Sequence, residues 1–172
     1  MKDWKTFIKA GRAKFTLKDK ISGKRFTFKV TQHHDKEQHL YIVSVLTGTD
    51  NNNDYTYLGL LDDNGFRETH RSRVGYMYKN TRDAFVWFLR LIEVMRSDEE
   101  LAPNMRFYHA GCCGRCGKTL TVPESIETGY GPDCINFVEI SRVLGGKDND
   151  IYEQNAKKLR ELMKLNALLK GD

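Results

Sequence analysis

Four side chains in the C-terminal third have the types and spacing of a metal site: His109, Cys113, Cys116 and Cys134. They read His-x-x-x-Cys-x-x-Cys, and after seventeen further residues a lone Cys follows Gly131-Pro132-Asp133. Two thiolates three residues apart can point at one ion, and a third returning from a distance builds a tetrahedral zinc centre. All four cysteines of the chain lie within residues 112–134. Gly114 and Gly117 permit the tight turn that directs backbone amides toward the sulfurs. Cys134 comes two residues after a proline of the kind favoured in the first turn of a helix, where the helix dipole steadies a thiolate. A knuckle, a hairpin and a ligand at a helix start describe a treble-clef or zinc-ribbon-like module.

His109 is the expected fourth ligand, because imidazole is a good zinc donor and the three-residue gap to Cys113 is ordinary. Cys112 competes for the same place. Adjacent cysteines rarely both ligate one ion, and Cys113 fits the Cys-x-x-Cys-Gly turn, yet whether Cys112 replaces His109 stays open at this level. A redox dithiol leaves Cys134 unexplained and lacks its strand–helix context, and an iron–sulfur cluster asks for four thiolates. Four protein ligands leave no position for a water, which makes the expected zinc structural. The His-x-Glu of a zinc deaminase is absent. So are a Gly-rich phosphate loop and a recognisable Ser–His–Asp set, and the chain reads as non-catalytic. Asp50-Asn51-Asn52-Asn53-Asp54 begins like a calcium loop, but Tyr55 and Leu61 stand where Gly and Glu are needed.

The net charge of +5 conceals an asymmetry. Residues 1–30 carry ten Lys/Arg against two Asp/Glu, and the rest of the chain carries eighteen against twenty-one. Such a concentration suits a polyanionic partner, and Arg12, Lys14, Lys18, Lys24, Arg25 and Lys29 are the candidate contacts. The plainer reading is a solvated sheet face. No run approaches the roughly 20 apolar residues of a membrane span, and the N-terminus lacks a secretory pattern. A cytoplasmic, reducing compartment follows, where clustered cysteines favour metal over disulfides.

Around this chemistry the sequence places an α+β fold. Trp4, Phe7 and Ile8 suggest a short leading helix. From Ala13 the period becomes two: Phe15 and Leu17, then Phe26, Phe28 and Val30, alternate with basic and Thr residues across the Ser22-Gly23 turn. That is a β-hairpin with one apolar and one basic face. Lys24-Arg25-Phe26-Thr27-Phe28 faintly echoes an RNA-recognition strand, but its glycines are missing and the two phenylalanines are expected to face the core. Strands over 40–46 and 55–61 and a fifth near 66–69 complete an antiparallel meander. A helix over 81–97, capped by Asn80 with Asp83 behind it, is apolar nearly all round. Glu124 and Glu127 read as surface residues of the hairpin or its loop. Helices are expected at 135–143 and 150–169. The division is 1–104 for the α+β domain, 105–144 for the zinc module and 145–172 for a C-terminal helix.

The runs Lys9–Leu17, Thr27–Val30, Val45–Gly48 and Tyr55–Gly59, with the block Cys113–Ile126 and Gly131-Pro132-Asp133-Cys134, resemble an uncharacterised family common in bacteriophage and prophage genomes. The resemblance spans roughly residues 6–137 and is most specific in the cysteine block. It implies a zinc-binding module and a phage origin, and no activity. Two roles fit these features. One is an accessory protein that binds nucleic acid or a host nucleoprotein through the basic hairpin. The other is a protein-binding inhibitor of a host defence complex, of the anti-CRISPR or anti-restriction type.

Overall fold

The change of period at Ala13 is a change of element. A computed structural model describes residues 4–33, 39–73, 75–94 and 104–143. Helix α1 (Trp4–Ile8) buries Phe7 and Ile8, and the chain then enters β1 (Arg12–Asp19) and β2 (Arg25–Gln32). These pair antiparallel with Phe15 opposite Phe28 and Ala13 opposite Val30. Strands β3 (Tyr41–Leu46), β4 (Tyr55–Asp62) and β5 (Gly65–Arg67) continue the meander as expected. β3 buries Tyr41, Val43 and Val45 but only half-buries the residues between them, so it has one core face rather than two.

The loop between β3 and β4 uses its acids on itself. The Asp50 carboxylate accepts the Asn52 amide and the Asn53 side-chain nitrogen, both at 2.8 Å. Asp54 accepts the Asp50 amide at 2.8 Å. These bonds, that from the Asn52 amide first, hold the Asp50 carboxyl below its usual range.

Helix α2 (Tyr76–Val94) begins one turn earlier than the Asn80 cap predicts. The Lys79 amide already donates to the Gly75 carbonyl at 2.9 Å, and Asn80 and Asp83 lie inside the helix. Thr81, Phe85, Phe88 and Ile92 are its buried residues among those described. Their spacing of four, three and four makes a single stripe. Trp87 is 48 % exposed, so the helix is not buried all round. The stripe meets the sheet's aromatic residues: Phe85 lies 5.1 Å from Phe28, and Phe88 lies 5.7 Å from Phe15, between ring centroids.

Residues 105–109, grouped by sequence with the cysteine module, form strand β6 (Met105–His109). It pairs antiparallel with the free edge of β1, giving the order β5-β4-β3-β2-β1-β6. Phe107 then stacks on Phe15 at 4.9 Å.

Helices α3 (Pro123–Thr128) and α4 (Pro132–Val143) follow. The chain divides into two compact units, Met1–Gly131 and Pro132–Asp172. The helix expected at 150–169 lies outside the described residues. Among the described residues no helix is long and apolar enough to cross a membrane.

Candidate metal centre and the basic sheet face

A small hairpin follows directly from β6. The Ala110 amide donates to the Lys14 carbonyl at 2.9 Å, extending the pairing with β1. Cys112 and Thr119 then form an isolated antiparallel bridge. The Cys113 amide bonds Lys118 at 2.8 Å, and the Gly117 amide closes back on the Cys113 carbonyl at 2.9 Å. Gly117 takes φ 78°, the left-handed conformation that glycine adopts without a steric penalty. Gly114 is needed for space, because a Cβ there would sit 2.8 Å from the Phe7 ring. Gly114→Ala is therefore expected to lower stability by about 1–3 kcal/mol, as overpacked sites do, read from the denaturation midpoint. An unchanged midpoint would show that Phe7 yields freely.

Two bonds sew this turn into its surroundings. The Arg12 amide donates to the Gly114 carbonyl at 2.7 Å, and the Gly114 amide donates to Gly129 at 3.0 Å. The segment holding Glu124 and Glu127, read from sequence as hairpin or loop, is helix α3. Pro123 at its start and Gly129 at φ 80° as its C-terminal cap are the signals that mark it. Helix α4 starts at Pro132, three residues before the expected start, which places Cys134 in its first turn.

The Sγ atoms of Cys113, Cys116 and Cys134 all lie within 4.8 Å of one another. None of the four cysteines is joined in a disulfide, and Cys113 and Cys134 are buried while Cys116 is half-buried. Around one zinc with bonds of about 2.3 Å, tetrahedral sulfurs sit about 3.8 Å apart, so the group is of a size to hold one ion. Burial pushes the Cys113 thiol up. Hydrogen bonds from the backbone amides of Cys116, Gly131 and Arg115 more than offset this, and its pKa falls below the ordinary thiol value. Donors already aimed at a sulfur favour the thiolate that a metal requires.

His109 and Cys112 stand outside this group. His109 ends β6, and its Nδ1 accepts the Gly111 amide at 3.1 Å. A neutral imidazole accepting there carries its proton on Nε2. Its ring also lies 6.1 Å from Phe7. Cys112 is near enough to Tyr55 to add, after burial, to the upward shift of that hydroxyl.

The six basic residues named from sequence do not form one set. Lys14, Lys18, Arg25 and Lys29 occupy outward positions, with Lys14 directly opposite Lys29 and Lys18 opposite Arg25. Arg12 shares their parity, but its Cδ lies 3.4 Å from where a Gly117 Cβ would be, against the knuckle. Lys24 sits in the hairpin turn. Strand β6 adds two residues that the sequence reading missed: Arg106 beside Lys18, and Tyr108 beside Thr16. No local signal marks them, since their place depends on a pairing between distant segments.

Residues 104–135 match a family of unknown function (DUF6011), and this stretch holds β6, the knuckle, α3 and all three clustered thiols. The N-terminal strands that entered the sequence resemblance lie outside it. No curated protein and no solved structure matches the chain. The cysteine module is thus similar to a family whose function is unknown.

Proposed function

We propose that the chain is a non-catalytic zinc protein that binds nucleic acid, or a nucleoprotein, through the open basic face of its sheet. Zinc sits on Cys113, Cys116 and Cys134 in a treble-clef or zinc-ribbon-like module. His109, whose Nδ1 accepts the Gly111 amide, would supply the fourth ligand. Zinc content and affinity measured in His109→Ala and Cys112→Ser decide the fourth ligand. Weakening in the first alone is expected, and weakening in the second alone reassigns the ligand to Cys112.

One observation carries the nucleic-acid reading. Lys14 faces Lys29, and Lys18 faces Arg25 on one side and Arg106 on the other. Like charges directly opposite on a sheet are destabilising, whereas a face shaped for solubility alone mixes its signs. Ion pairs among the described residues join other cations, such as Lys9 with Asp63, and none of these five. Lys14 has a local polar anchor, its ammonium donating to the Asn51 carbonyl at 3.1 Å and the Asn52 Oδ1 at 3.3 Å, near Asp50. The repulsion is tolerated where a polyanion relieves it.

Lys18→Glu tests this directly. It replaces repulsion by attraction to Arg25 and Arg106, and is expected to raise stability by up to about 1 kcal/mol. The same change is expected to weaken oligonucleotide binding severely. Stability and affinity moving in opposite directions support the reading, and affinity that survives the substitution overturns it.

A further inference from the structure

The outward positions of β6, β1 and β2 have an unusual composition. They are Arg106 and Tyr108 on β6; Arg12, Lys14, Thr16 and Lys18 on β1; and Arg25, Thr27, Lys29 and Thr31 on β2. There is no acid among them and no aliphatic residue. Arg12 lies opposite Thr31 at one end, and the other eight form three successive rows across the strands. The first row is Arg106, Lys18 and Arg25; the second is Tyr108, Thr16 and Thr27; the third is Lys14 and Lys29.

Each row has a distinct chemistry. Neighbouring strands lie about 4.8 Å apart, so the first row sets three cations within about 10 Å of one another. Lys14 and Lys29 lie four residues further along, about 13 Å away at the usual rise per residue. Both of these lysines approach the Tyr55 ring, at 5.7 and 5.0 Å from its centroid. Between the two cationic rows the Thr16 and Thr27 hydroxyls bond each other at 2.8 Å. Beside them is Tyr108, 52 % exposed. An aromatic ring half in water on a polar face is not filling a core. A ring so exposed is accessible to a flat partner.

We propose that this face takes a single-stranded polynucleotide, with a base stacked on Tyr108 and the flanking phosphates held by the Arg106–Lys18–Arg25 row and the Lys14–Lys29 row. The proposal rests on the nucleic-acid reading above and narrows it. In a duplex the flat faces of the bases are covered by their neighbours, so an exposed ring has nothing to stack on. In a single strand each base can be splayed onto an aromatic platform while its backbone follows a cationic track. An acidic polypeptide would satisfy the cations but not the ring.

The test uses the full metal-loaded chain and a short fluorescent oligonucleotide of mixed sequence, offered single-stranded and as a duplex. Tighter binding of the single strand is expected. Tyr108→Ala should lose about 5- to 150-fold of that affinity, the range of one base stack, and Tyr108→Phe should keep it. Arg25→Gln should reduce the slope of log affinity against log salt by about 0.7, the value of one single-strand phosphate contact. Metal content and circular dichroism of each variant establish that the fold is intact. Equal or tighter duplex binding overturns the proposal while leaving the broader nucleic-acid reading standing, and binding to neither form removes both. Undiminished affinity in a folded Tyr108→Ala, or equal competition by poly-glutamate, also overturns it.

Discussion

Chelation of the metal, or Cys134→Ser, is expected to unfold the segment around residues 110–131 while the sheet persists. The segment has little else to hold it. Its buried apolar side chains beyond the thiols are Leu120 and Tyr130, and burying a side chain of that size contributes about 1.5–3 kcal/mol. Ordering each residue costs about 1–2 kcal/mol of backbone entropy, so two such side chains fall far short. A structural zinc supplies about 10–16 kcal/mol in isolated finger peptides, several times what the two side chains contribute. Hydrogen exchange reads the outcome by residue. The amides of Cys113, Gly117 and Leu120, bonded within the hairpin, should lose protection, whereas those of β2 and β3 should keep theirs. Elemental analysis should give one zinc per chain before chelation. Metal-free protein with full protection at these three amides would falsify the metal-dependent account.

Phe15→Ala is expected to be the most damaging change in the sheet. Phe15 is fully buried, and its ring contacts those of Phe28, Phe85, Phe88 and Phe107. These belong to β2, α2 and β6, so one side chain joins three elements that sequence separates widely. Truncation should cost about 3–5 kcal/mol, the transfer loss plus the cavity left behind. That approaches half the stability of an ordinary domain. Phe15→Leu, which keeps most of the volume, should cost substantially less. Equal effects of the two substitutions would mean that the site collapses around the loss and that the ring contacts add little.

What the sequence disclosed follows the range of the forces involved. β1 and β2 are legible because Phe15, Leu17, Phe28 and Val30 alternate with polar residues and each strand carries its own signal. The three thiols are legible for the same reason, since Cys-x-x-Cys-Gly and Gly-Pro-x-Cys are local patterns. The start of α2 was misplaced because Asn80 is a good cap by type. The preceding Tyr76-Met77-Tyr78 carries no start signal, yet forms the first turn. β6 was illegible in a stronger sense. Nothing in Met105-Arg106-Phe107-Tyr108-His109 says that its partner is β1, and only the assembled sheet shows Tyr108 among the cations. The fourth ligand is a question of side-chain rotation and metal loading, which spacing does not encode.

The place of β1 between β2 and β6 has a consequence for how the chain is made. Asp19 pairs with Met105, so one edge of β1 stays open on the ribosome until that distant strand emerges. The hairpin and the rest of the meander can form first from local contacts, and the docking of β6 carries the large loop-closure cost. During that interval an unpaired strand edge invites another chain to add to it. Lys14 and Lys18, pointing outward from that strand, repel a second copy bearing the same charges. The residues assigned here to a polyanion would thus also protect the unfinished chain, and neutralising both should raise aggregation during synthesis even where the completed fold is unharmed.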